Sequence, residues 1–354
     1  MKISYKHLVL NIKENPDIND LSERLFQLGH EHEIENEIFD FEFTPNRGDC
    51  LSLRGLLREL NLFYDVAIDN PIYEQDINEL KLDFINNVID FCPKINFLKV
   101  EIDEIPNIYS NHLQNYFDDL GIKKNNFFTD ISNYLSYETG QPTHCYDLTK
   151  IKGKIVFSEL DINEEFVTLL DKKINLTEKN AVFTLNDEVI NLAGVVGGKN
   201  TSCSSETMSV LVECAFFKPE AIMGKSLKYD IQSEASHKFE RYVDPNCHDM
   251  VIRRFIKIVS DHTNIKNISV CSHVFEQNEI HEIPVNVDKI NKILGTNINK
   301  DQYSNYLTKL GFDISEDQIL IPSFRNDINN QNDLAEEIAR IIGYDNISSD
   351  ELTI

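Results

Sequence analysis

The chain has 354 residues, enough for two or three ordinary cores. Its 41% hydrophobic and 10% aromatic content excludes a wholly disordered polymer, and no apolar run reaches the about 18 residues of a membrane span. With 59 acids against 34 bases, a net charge of −25 excludes nucleic-acid binding over most of the surface and confines any such contact to a local patch or a partner. The opening Met1-Lys2-Ile3-Ser4-Tyr5 has no apolar core behind it, so no secretory signal is expected. Seven scattered cysteines (50, 92, 145, 203, 214, 247, 271) without a C-x-x-C predict reduced cytoplasmic thiols and no zinc site.

Along the chain, Ile18, Leu21, Leu25 and Leu28 share one face of a helix predicted over 17–28, after Pro16 and closed by Gly29. Phe39, Phe41 and Phe43 alternate with acids as a half-buried strand does. Thr44–Asp49 is a turn, and Ser52 caps a second helix with Leu53, Leu56, Leu57, Leu60 and Phe63 on its apolar side. Residues 1–75 thus read as a small α+β module. From 76 to 270 the pattern is mixed α/β, with β-rich stretches at 154–158 and 181–184. The run from Asn191 to Gly198, with Gly194, Gly197 and Gly198, reads as a strand entering a loop where backbone comes close to something else. Over 276–348, helices are predicted at 287–294, 300–310 and 333–342, with short strands near 312–314 and 318–321, suggesting a winged-helix-like module. No internal repeat is visible. The fold class expected is α+β, multi-domain.

Four strings carry a resemblance. They are Thr44-Pro-Asn-Arg47-Gly-Asp49 through Ser52 to Gly55; Gly140-Gln-Pro-Thr-His144-Cys-Tyr-Asp147; Gly194-Val-Val-Gly197-Gly198 through Glu213 to Ser233-Glu-Ala235-Ser-His237 and Glu240-Arg241; and Pro322-Ser-Phe-Arg325-Asn-Asp327 through Asp333, Glu336 and Glu337 to Gly343-Tyr344. In this order they resemble the beta subunit of bacterial phenylalanyl-tRNA synthetase over nearly the whole chain. Two departures stand out. No oligonucleotide-binding barrel is inserted near residues 29–41, and the chain stops where the family continues into a catalytic-like domain, so either an N-terminal portion, the favoured reading, or a pruned subunit is expected.

The resemblance implies a subunit of a class II aminoacyl-tRNA synthetase. Its alpha partner, in a heterotetramer of two alpha and two beta subunits, would hold the ATP-dependent aminoacylation site, and tRNA(Phe) would be the common substrate. It also implies that 76–270 is an editing domain that hydrolyses tyrosine mis-attached to this tRNA. A synthetic pocket for phenylalanine rejects tyrosine only through one added hydroxyl, so a second site that offers that hydroxyl a polar partner sharpens the choice. By resemblance, Glu213 accepts from the tyrosine phenol and Gly194 and Gly197 leave room for the ring. His144 binds the acceptor end or positions water, and Ser132, Asn133, Ser233 and Ala235 complete the pocket. Read as residues alone, His144 is equally a structural loop histidine, Glu213 a strand-edge acid and the glycines turn residues. Ser233, Tyr242 and Lys123-Lys124-Asn125 depart from the family pattern.

Asp327, Asp333, Glu336 and Glu337 follow at spacings of 6, 3 and 1, the last three on the first turns of a helix. The resemblance implies a magnesium site shared with the alpha subunit. The alternative is that these acids complement a helix dipole, with Asn332 or Asp333 as cap and Arg325 and Arg340 as partners. Two other functions stay open: a structural, tRNA-positioning piece without editing, and a stand-alone nucleic-acid-binding module.

Overall fold

Helix signals in the first 68 residues act as local chemistry dictates. The side chain of Asp17 accepts from Asn19 and Asp20 N–H at 2.8 and 3.0 Å and starts the helix Ile18–Gln27, which buries Leu21 and Leu25. A hairpin follows, Glu31–Glu35 against Ile38–Glu42, turned by Asn36 and Glu37, whose φ values of 51° and 62° match the twist of tight hairpins. That two-residue turn leaves no space for an inserted barrel. The strand Lys2–Ser4 pairs on the other side of Ile38–Glu42, and Ser52 Oγ accepts from Gly55 N–H at 2.9 Å to start the helix Leu53–Leu60.

The computed structural model describes residues 1–68 and 71–348. These form two units rather than the three consecutive modules expected: Met1–Asp69 combines with Asn278–Ile354, and Asn70–Gln277 stands as the other. The terminal segments coalesce because they are two versions of one design. The later half runs through strand Glu282–Pro284, helices Val287–Leu294 and Lys300–Lys309, strands Asp313–Ile314 and Gln318–Leu320, and helix Gln331–Ile342. In both halves the first strand pairs with the third, and the third with the second.

The correspondence extends to single side chains. Arg47 grips Asp49, two residues on, through Nε and Nη2 at 2.9 and 3.1 Å, and Glu59, twelve residues on, at 2.8 Å. Arg325 grips Asp327 at 2.8 and 2.9 Å and Glu337 at 3.0 and 2.7 Å, at the same spacings. Ser52 and Asn330, each five residues after its arginine, are the two helix caps. The expectation of no internal repeat is therefore corrected. The repeat had been hidden because only this polar skeleton survives. Arg340 bridges the halves by donating to both Glu59 and Glu337, and the Arg58 guanidinium lies 3.9 Å from the Phe324 ring centre. Burial alone would raise the glutamates' pKa. The Arg340 and Arg47 charges outweigh it at Glu59 and hold that acid well below its ordinary value, and Arg340 and Arg325 hold Glu337 at about 2.

The second unit is built on two five-stranded sheets. In one, Lys94–Ile102 lies between Ser209–Phe216 and Ile265–Val274, with His144–Asp147 on the far edge of Ser209–Phe216. In the other, the long antiparallel pair Ile155–Val167 and Lys173–Leu185 continues into Glu188–Leu192 and Val196–Gly197. The stretches expected at 154–158 and 181–184 thus belong to thirteen-residue strands, whose remaining length mixes exposed polar residues with Phe166, Ile174 and Leu176 of the core. One apolar core joins the sheets through residues such as Phe97, Tyr146, Phe157, Phe183, Leu211 and Phe217. The helices Phe127–Thr139 and His248–His262 pack together, and Phe127–Thr139 also packs against the strand that begins at His144.

Candidate functional site

Alternation along Ser209–Phe216 sends Glu213 into the same inter-sheet core as Leu211 and Ala215. An acid there needs partners, and it has two. Tyr146 Oη donates to Glu213 Oε2 at 2.6 Å, and Asn191 Nδ2 reaches the same oxygen at 3.3 Å and Tyr146 Oη at 2.8 Å. Tyr146 comes from the edge strand His144–Asp147 and Asn191 from the opposite sheet, so the carboxyl ties the layers together. Glu213 is 4% exposed, and burial lifts its pKa to about 7 against the downward pull of these two hydrogen bonds.

His144 stands directly opposite Glu213 in the strand register. It shares a face with Tyr146, their rings meeting edge-on at 4.4 Å. Burial lowers its pKa to about 4, so the imidazole is neutral at physiological pH, and its Nε2 is sealed from solvent with no hydrogen-bond partner. A Cβ on Gly197 would collide with His144 Cε1, so the ring occupies space that only glycine leaves. Buried polar atoms without partners are rare, and this one marks a place for a ligand or water.

The remaining expected residues divide into two groups. Ser132 Oγ bonds to Thr143 O and Oγ1, both at 2.7 Å, and so fastens the helix Phe127–Thr139 to the residue preceding His144. Ser233 Oγ donates to Val195 O at 2.7 Å and caps the helix Glu234–Phe239, which holds the glycine turn in place. Ala235 is half-buried against the core. Asn133 is exposed. Gly194 has φ +66°, and a Cβ there would lie 2.6 Å from Ile222 Cδ1, so its space is already taken by Ile222 and not by a ligand ring. The structure therefore gathers His144, Glu213 and Gly197, and adds Tyr146 and Asn191, which sequence reasoning missed. A polar Asn191 within the apolar run Val189–Ala193 was the available signal.

The acidic quartet shares one cavity without forming a close-set group of metal donors among the described residues. Asp327, Asp333, Glu336 and Glu337 line one cavity with His30, Arg47 and Arg340. Asp327 and Glu337 are held by Arg325. Asp333 Oδ2 accepts from Asn329 and Asn330 N–H at 2.7 and 3.0 Å. Among the described residues the only closely spaced set of donors is His30, Cys50 and Glu59, and there Arg47 and Arg340 already occupy the carboxylate while burial keeps Cys50 a thiol. Neither set fits magnesium as it stands. The cap of the last helix is Asn330, and Asp333 completes its capping box, where Asn332 or Asp333 had been expected to cap.

Residues 96–264 match the B3/4 domain family and residues 283–344 the tRNA synthetase B5 domain family. The chain is 31% identical over 330 residues to the phenylalanine–tRNA ligase beta subunit of Psychrobacter arcticus, covering 89% of this chain and 41% of that protein. It is 30% identical over 326 residues to the counterpart from Idiomarina loihiensis, covering 90% and 41%. The chain thus spans about two fifths of the length of these curated relatives. A crystal structure of an N-terminal fragment of the phenylalanyl-tRNA synthetase beta subunit from Pyrococcus horikoshii has the same fold at 13% identity, with a TM-score of 0.52, covering 96% of this chain and 99% of that one.

Proposed function

We propose, because the chain resembles the N-terminal portion of bacterial phenylalanyl-tRNA synthetase beta subunits, that it works as the front part of such a subunit and that its 71–277 unit hydrolyses tyrosine mis-attached to tRNA(Phe). One observation carries this reading: a buried carboxyl, Glu213, lies opposite a half-buried imidazole whose enclosed Nε2 has no partner, with Gly197 beside it. Both hydrogen bonds to Glu213 among the described residues fall on Oε2, so a substrate phenol has Oε1 to donate to. Neutral His144 holds the ester or a water through Nε2, and proton transfer is left to water or substrate hydroxyls. In this reading the alpha subunit, a class II synthetase partner, activates phenylalanine with ATP. The 283–344 segment, a winged-helix-like element, contributes to assembly and tRNA placement. Magnesium, which this chain's own carboxylates do not fit, depends on groups from that partner. Free thiols at all seven cysteines support a cytoplasmic home, and among the described residues no helix is long and apolar enough to cross a membrane.

The test is deacylation of Tyr-tRNA(Phe) by the purified chain. Glu213→Ala should lower the preference for Tyr-tRNA over Phe-tRNA by roughly 10- to 150-fold, the worth of one hydrogen bond to a charged group. A second reading, a positioning subunit without editing, is favoured by the occupation of Glu213 Oε2 by Tyr146. Absence of deacylation above the protein-free rate would select it.

A further inference from the structure

The bonds around Glu213 close into a ring. Tyr146 Oη donates to Oε2, the amide of Asn191 donates to Tyr146 Oη, and the same amide approaches Oε2. Tyr146 is 1% exposed and Asn191 3%, so both are fixed by packing on strands of opposite sheets. A phenol bonded to this carboxylate is the contact the site would make with a substrate tyrosine. The protein already supplies one from its own chain, pre-positioned and without the entropic cost of bringing in a second molecule.

We infer that Tyr146 is a specificity-determining residue, an internal phenol that competes with a ligand's hydroxyl for Glu213 and so tempers the preference for tyrosine over phenylalanine. This rests on the assignment of Glu213 as the hydroxyl's partner. With Oε2 satisfied from within, a phenylalanine side chain leaves fewer carboxyl lone pairs unpaired than it otherwise would, and its penalty is reduced. Asn191 sets the strength of the competition by holding the Tyr146 oxygen toward Oε2.

Tyr146→Phe removes the competing oxygen and retains the ring that packs in the core. Two readouts are measured on parent and variant, with thermal melts to confirm that both are folded. One is the ratio of kcat/KM for Tyr-tRNA(Phe) and Phe-tRNA(Phe). The other is equilibrium binding of L-tyrosinamide against L-phenylalaninamide. Tyr146→Phe should raise the tyrosine preference roughly tenfold in each, the scale of one hydrogen bond to a charged group. Asn191→Ala, which loosens the phenol without removing it, should move both ratios the same way by less. A binding preference that is unchanged or lower in Tyr146→Phe overturns the inference. Should neither protein deacylate Tyr-tRNA while the binding preference rises in the variant, the hydrolase assignment fails and the competition stands.

Discussion

Replacing Glu213 by glutamine should make the protein more stable at pH 8 than the parent, and the gain should shrink toward pH 5. The carboxyl's pKa is about 7 in the folded protein against an ordinary 4.5, because burial disfavours its ionised form. Below about pH 4.5 both folded and unfolded states carry the proton and the shift has no effect. As pH rises from 4.5 to 7, the unfolded chain releases a proton that the native state retains, so folding loses free energy over this window. At 1.36 kcal/mol per pKa unit, the loss accumulated between pH 5 and pH 8 is about 2 to 3 kcal/mol. Glutamine does not titrate and still accepts from Tyr146 and Asn191. The assay is urea denaturation of both proteins at the two pH values, followed by amide exchange in the strand Ser209–Phe216 so that the correct unit is read. The quantity compared is the change in the difference between the proteins, which cancels every other titrating group. A variant whose advantage is flat with pH, or grows as pH falls, would refute the placement of an ionisable group in that core.

Five further outcomes follow from the geometry. Gly197→Ala should reduce deacylation of Tyr-tRNA and Phe-tRNA in equal proportion, since the new methyl displaces His144 and leaves Glu213 untouched; a change in the ratio alone would count against this. Glu59→Gln should cost about 3 to 5 kcal/mol in urea unfolding of the 1–68/278–348 unit, because Arg47 and Arg340 lose the charge that compensates their burial. Acid should unfold this unit early: Glu59 and Glu337 have depressed pKa values, so their contribution is complete above the ordinary carboxylate range and is lost as pH falls through their folded values, a trend measurable by circular dichroism. Magnesium should shift the melting temperature of the isolated chain no more than equal ionic strength of sodium, and Asp333→Asn should cost up to about 1 kcal/mol by weakening the capping box around Asn330 whether or not the ion is present.

What could be read in advance divides by the range of the interactions. Helix starts at Asp17 and Ser52 and the Phe39/Phe41 strand were legible because their causes lie within a few residues. The outer halves of Ile155–Val167 and Lys173–Leu185 were not. There the polar stretches Asn163-Glu164-Glu165 and Thr177-Glu178-Lys179 break up the short alternations Leu160/Ile162 and Ile174/Leu176 that face the core. Arg325 and Arg340 were visible as possible partners for the acids, whereas Arg47 and Arg58 belong to the same cluster only through pairing across most of the chain. Resemblance drew attention to His144 and Glu213. Tyr146 passed as an ordinary core aromatic because its significance lies in one oxygen facing a carboxylate sixty-seven residues away.

The pairing of residues 1–68 with 278–348 also governs the order of events during synthesis. Arg47 and Glu59 leave the ribosome early, yet Arg340, which completes their charge cluster, is encoded 281 residues after Glu59. At about 5 to 20 residues per second, roughly 15 to 55 seconds pass in which the nascent N-terminal half carries charges it is built to bury and a helix face with no partner. The intervening segment has its own core and strand pairings and can fold during that interval. The first half to emerge is therefore the last to be finished, and throughout this delay it is the part of the chain most in need of a chaperone.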